Sequence, residues 1–188
     1  MYTIGYFSCL GLGYLFLEIV FIQKFTLFLA NPIYSVSVVI ASFLIFSGLG
    51  SAYFHVNTSQ SHFPQKILLI AVVGILSFSG TYVVFLPHLL TTCAGWATLL
   101  KIIITILVIA PLGFCMGVPF PFGMNLLNQE ASELVPWAYG INGCTSVLSS
   151  LLATSIAIPF GFRMVLLSAV CLYLLAAGTS VWKTGKKY

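Results

Sequence analysis

Residues 111–157 read PLGFCMGVPFPFGMNLLNQEASELVPWAYGINGCTSVLSSLLATSIA. An apolar run passes into Gly113, Gly117, Pro119, Pro121 and Gly123. A short polar loop is expected to follow, holding Glu130 and Glu133, two of only three acidic residues in the chain. Pro136 then opens a second apolar run, whose first turns are Trp137-Ala-Tyr-Gly-Ile-Asn-Gly143. Proline has no N–H, and its ring clashes with the carbonyl four residues back. A helix continued through this stretch would lose the partners of Cys115 and Gly117. In hydrocarbon, freed carbonyls must find partners within the protein or in a water-filled cavity. The first helix is therefore expected to break near Val118, losing regular bonding between Cys115 and Phe122. The second should begin at or beside Pro136, with Val135 pushed toward extended geometry.

The second helix carries Gly140, Gly143, Ser146, Ser150 and Ala153 at close helical spacing. Such a stripe lets another helix approach closely. The plain expectation is a kinked helix packed on a small-residue helix. Its expected partner is the helix of Glu18 or that of Ser47–Ser51. The sharper alternative is a ligand or ion site lined by the carbonyls that Pro119 and Pro121 free, those of Cys115 and Gly117, and by Asn142.

Composition decides the solvent. The chain is 60% hydrophobic and 5% charged, with no Asp at all, whereas soluble domains carry about 25% charged residues. Six runs reach the ~20 residues that cross a bilayer: 4–23, 34–53, 67–88, 97–118, 137–158 and 164–182. The fold expected is an all-α integral membrane bundle of six spans, one transmembrane domain, with a Pro/Gly-broken fourth helix and no soluble domain. The connections are short. Asn31-Pro32 and Pro159-Phe160-Gly161 are turn signals, and a polar loop is expected from His55 to Lys66. That loop contains Asn57-Thr58-Ser59, a formal glycosylation triplet of little weight. The N-terminal run lacks a basic region and a cleavage site and is expected to be a retained helix.

The +4 net charge comes mostly from Lys183, Lys186 and Lys187, a juxtamembrane anchor rather than a nucleic-acid surface. The basic residues divide four to three between the two sides. The clustered tail inclines both termini to the cytoplasm, in a multi-pass protein of the inner membrane.

Glu18 stands deep in the first span, within Leu-Glu-Ile-Val. A carboxyl there is costly and usually faces the bundle interior. It is expected to meet Asn142, Ser146 or Tyr139 from another span, for structure or for function. Ser47-Gly-Leu-Gly-Ser51 is a small-residue packing face, with no strand before it and no Lys-Ser/Thr after it to make a phosphate loop. His55, His62 and His88 share no ligand spacing and read as interfacial residues. Cys9, Cys93, Cys115, Cys144 and Cys171 have neither metal nor disulfide spacing and read as apolar packing residues. No catalytic constellation can be assembled without Asp, and no cofactor or metal is expected.

Residues 11–51, PLGFCMGVPFPFGMNLL (111–127) and VPWAYGINGCTSVLSSLLATSIAIPFGF (135–162) resemble, in order, a membrane segment of bacterial spermidine-synthase-like integral membrane proteins. Leu-Glu-Ile, Ser-Gly-Leu-Gly-Ser, Met-Gly-x-Pro-Phe-Pro and Gly-Ile-Asn-Gly carry the resemblance. In that family the membrane domain accompanies a Rossmann-like domain resembling polyamine aminopropyltransferases. This chain has no such domain and none of its acidic residues, so aminopropyl transfer is not expected of it. The resemblance implies a membrane half: a non-catalytic subunit that scaffolds or anchors a larger membrane complex, with lipid and other membrane subunits as partners. The alternative is a transporter or channel-like protein for a small solute, such as a polyamine or other cation. Against it stands the scarcity of polar residues in spans three and six.

Six spans place both chain ends on one side. Cysteines introduced at positions 60 and 186 should therefore react with an impermeant thiol reagent from the same face of sealed membranes. Labelling from opposite faces would mean an odd number of spans.

Overall fold

The computed structural model describes residues 2–60 and 64–185, and all of its described elements are helical. They are α1 (Tyr2–Leu29), α2 (Pro32–Gln60), α3 (Pro64–Thr92), α4 (Thr98–Met116), α5 (Pro119–Glu130), a 3-10 turn (Ser132–Leu134), α6 (Val135–Phe160) and α7 (Phe162–Gly185). Among the described residues, six stretches are long and apolar enough to cross a membrane, with α4 and α5 together forming the fourth. The protein is a multi-pass membrane protein.

The helices outrun the expected spans. α2 continues to Gln60 and α3 begins at Pro64, so most of the expected His55–Lys66 loop, including its Asn-Thr-Ser triplet, is helical. His62 and the Lys186–Lys187 pair lie outside the described residues. The turn at Asn31-Pro32 forms as the sequence suggests. Asn31 Oδ1 accepts the N–H groups of Ile33 and Tyr34 at 3.0 and 3.4 Å, and Pro32 supplies a first residue that has no N–H to satisfy. At the other turn, Gly161 takes a φ of +80°, a conformation that glycine adopts without strain.

α1 is the post of the bundle, with 56% of its spanning stretch buried. α6 and α7 pack along it, and α2 packs on α4. Close approach is built from glycine. A Cβ on Gly11 would strike Thr145 and the carbonyl of Asn142, and one on Gly13 would press on the Tyr173 ring. At the α2–α4 crossing the contact is backbone to backbone. A Cβ on Gly117 would overlap the Ser47 carbonyl, and one on Gly50 that of Phe114.

The fourth span breaks where the prolines require it. Gly117 N–H reaches back to Gly113 and Phe114, and Val118 N–H to Cys115 at 3.3 Å, a tightened last turn. Cys115 is thereby satisfied rather than orphaned. The chain then restarts at once. Pro119 and Pro121 fall in the first turn of α5, where helical N–H groups have no intrahelical acceptor, so their missing donors cost nothing there. The expected polar loop is therefore a second half-helix that runs to Glu130. Val135 also departs from expectation. It is helical (φ −58°, ψ −48°) because the 3-10 turn before it leads directly into α6.

Replacing Gly117 or Gly50 by Ala should lower stability in detergent by about 1–3 kcal/mol, because the backbones must separate. Gly143→Ala, with nothing within 4 Å of the added carbon, should leave the melting temperature unchanged or slightly higher. Equal tolerance at all three positions would disprove the α2–α4 crossing.

Candidate functional site

The break holds open a cavity. α5 is pinned by Tyr6, whose hydroxyl donates to the Pro119 carbonyl at 2.6 Å, and whose ring occupies the space a Cβ on Gly123 would need. Phe7 meets Phe120 edge-on, with centroids 5.5 Å apart. These contacts hold α5 against α1 while α2 grips α4. α2 and α6 make no extended contact with each other. Between them lies a cavity of about 500 Å³, floored by α1 and walled by the break. From Pro119 to Leu127, the last buried apolar residue of α5, is about 12 Å along a helix. The break lies level with Tyr6, near the start of α1, and Lys101 at the other end of α4 lies over the Phe28 ring near its close.

The polar lining comes from Tyr14, Ser47, Ser51, Asn142 and Ser146, with Met116 and Gly117 at the break. Tyr14 and Ser47 share a hydrogen bond of 3.3 Å between their hydroxyls. Aromatic walls come from Tyr14, Phe120, Tyr139 and Tyr173, and Phe120 and Tyr139 lie 5.5 Å apart by centroid. A second cavity of about 610 Å³ adjoins the first, sharing Ser51, Phe120, Pro121 and Tyr139. Its own lining is polar, with His55, Asn125, Asn128 and Gln129. It lies toward the ends of α2 and α5 and forms a polar vestibule beside the break.

Of the residues singled out in the sequence, Ser47, Ser51, Pro121, Asn142 and Ser146 line this cavity. Pro119 does not: it is buried under Tyr6. Gly143 is exposed with nothing near it, and Gly140 likewise, which corrects the expected packing stripe. The face of α6 that meets α1 is Ala138, Asn142, Thr145, Ser149 and Ala153. Ser146 and Ser149 donate to the carbonyls of Gly11 and Leu12 at 3.5 and 3.0 Å.

Glu18 faces protein, at 9% exposure. It shares one face of α1 with Gly11 and Tyr14, and its carboxyl and the Tyr14 phenol are near enough to interact electrostatically. The expected hydrogen bond to Tyr139, Asn142 or Ser146 is absent. Those residues sit at the level of Gly11 and Tyr14, a turn or more short of Glu18, and Ser146 is committed to the Asn142 carbonyl at 2.8 Å. Among the described residues the Glu18 carboxyl makes no hydrogen bond.

Two parts of the site escaped the sequence reading. Gly113 and Gly117 form a Gly-x-x-x-Gly pair, a recognisable close-packing motif, and they seat α4 on α2. The aromatic walls come from four separate helices, and no local spacing signals them. Compared with models of known families, with curated proteins and with solved structures, the chain matches none.

A carboxyl within a span carries a stability cost of about 2–3 kcal/mol. Glu18→Leu should therefore raise the melting temperature of the detergent-solubilised protein. A lower one would reveal a stabilising partner for the carboxyl.

Proposed function

We propose that this chain is a non-catalytic subunit of a larger membrane assembly, and that α6 is the helix its partner covers. One observation carries this. α6 is the least enclosed span, with 11% of its spanning stretch buried against 56% for α1. Yet its outward face bears Gly140, Gly143, Cys144, Ser150 and Thr154. Lipid has no need of glycine on a helix, and each glycine costs up to about 1 kcal/mol of helix propensity relative to alanine. Small outward residues are what a second close-packed helix requires. The inner face of α6 uses the same device against α1. The resemblance to the membrane segment of spermidine-synthase-like proteins supports the same reading, with the bacterial inner membrane as its place. The cavity at the break favours a second reading, the handling of a small solute.

Isolation from native membranes in mild detergent tests the subunit reading. The chain should co-purify with defined membrane proteins. Gly143→Leu should release them without changing the chain's own melting temperature, and Leu107→Ala, on the exposed face of α4, should not. Isolation as a lone chain, or full retention of partners by Gly143→Leu, would overturn it.

A further inference from the structure

The cavity at the α4–α5 break has a chemistry of its own, which the subunit proposal does not use. We propose that it binds a small organic ammonium ion, which enters through the polar vestibule and seats among the rings of Tyr14, Phe120, Tyr139 and Tyr173.

Sign and shape both point there. Among the described residues, no Lys or Arg lines the cavity or the vestibule. The polar groups of the inner cavity are the hydroxyls of Tyr14, Ser47, Ser51 and Ser146 and the amide of Asn142, all able to present oxygen to a cation. Aromatic faces attract cations through their quadrupoles, and quaternary ammonium recognition commonly uses such cages. A carboxyl, Glu18, lies one turn beyond Tyr14 on the same face of α1, and in a low-dielectric interior its charge reaches further than in water. The volume, about 500 Å³, lies within the range of small-molecule sites.

The broken helix favours a cation over an anion. A half-helix that starts at a break in a span ordinarily offers an anion its free N–H groups. Here Pro119 and Pro121 have none, and the N–H of Phe122 is taken by the Val118 carbonyl at 3.3 Å. Of the first four residues of α5, Phe120 alone keeps an N–H without a backbone acceptor. The carboxyl end of α4 keeps its acceptors: Pro121 has no N–H to return to the Gly117 carbonyl, and Met116 and Gly117 line the cavity. The negative end of the α4 dipole faces the cavity with little opposition.

Binding of radiolabelled choline to the full chain in nanodiscs tests this. The competitors are unlabelled choline, neohexyl alcohol (its uncharged carbon isostere) and tert-butylacetate (an anion of like shape). Choline should bind saturably, and both analogues should compete at least about tenfold more weakly. Tyr139→Leu and Glu18→Gln should each weaken binding about tenfold, with Tyr139→Phe restoring it and Leu107→Ala leaving it unchanged. Melting temperatures of the variants separate loss of the site from loss of the fold. Three results would overturn the proposal: no saturable binding to folded protein, either analogue competing as well as choline, or wild-type affinity in both Tyr139→Leu and Glu18→Gln. All of these are read on the chain alone, so their failure is distinguishable from that of the subunit proposal.

Discussion

Proline cannot donate a hydrogen bond, and hydrocarbon cannot supply a replacement. The architecture around α4 and α5 answers that constraint. A break inside the membrane must be enclosed by protein, so α2 is drawn in until its backbone touches that of α4 at Ser47–Gly117 and Gly50–Phe114. It must also be fixed in angle, and Tyr6 fixes it with one hydrogen bond to Pro119 and one ring against Gly123. The break is satisfied locally by a tightened turn and a first-turn placement of both prolines. The carbonyls of Met116 and Gly117 receive no backbone donor from α5, and both residues border the cavity.

α1 makes this possible because it is packed from several sides by different means. Toward α6 it offers a bare backbone at Gly11 and Leu12, and serine hydroxyls donate to it. Toward α7 it offers Gly13, which the Tyr173 ring covers. Toward α2 and α3 it offers Phe21, edge-on to both Phe43 and Tyr82. The polar and apolar contacts lie at different heights. Ser146 and Ser149 meet α1 at Gly11 and Leu12, and the Phe21–Phe43–Tyr82 rings interlock further along it. Glu18 falls at the boundary between them, which is why it is enclosed but finds no donor.

What was legible in the sequence follows from this division. The spans, the break and the start of α6 are dictated by local chemistry: apolar run length, missing N–H groups and turn residues. The helical state of 119–130 was hidden because proline reads as a stop, and it is also a good first residue. The outward position of Gly143 was hidden because both faces of α6 carry small residues, Gly140, Gly143 and Ser150 on one and Ala138, Ser149 and Ala153 on the other. Spacing shows that a helix is closely packed but not which of two such stripes meets its own bundle. The polar cavity lies not along spans three and six but between α2 and α6, because a cavity forms where helices fail to touch.

Glycine therefore does three separate things in this chain. At Gly50, Gly113 and Gly117 it closes a crossing that shields a broken backbone. At Gly11 and Gly13 it brings two helices onto the central post. At Gly140 and Gly143 it leaves open space on the side of α6 turned away from α1. The first two uses are completed by neighbours within the chain. The third is not, and it lies on the same helix whose opposite edge walls the cavity through Asn142 and Ser146. A partner seated on α6 would thus press on one wall of the ammonium site, so that assembly and ligand binding, if both operate, act on a single helix. By linkage, a ligand that fixes α6 would strengthen the partner's grip by the same factor as the partner strengthens the ligand's.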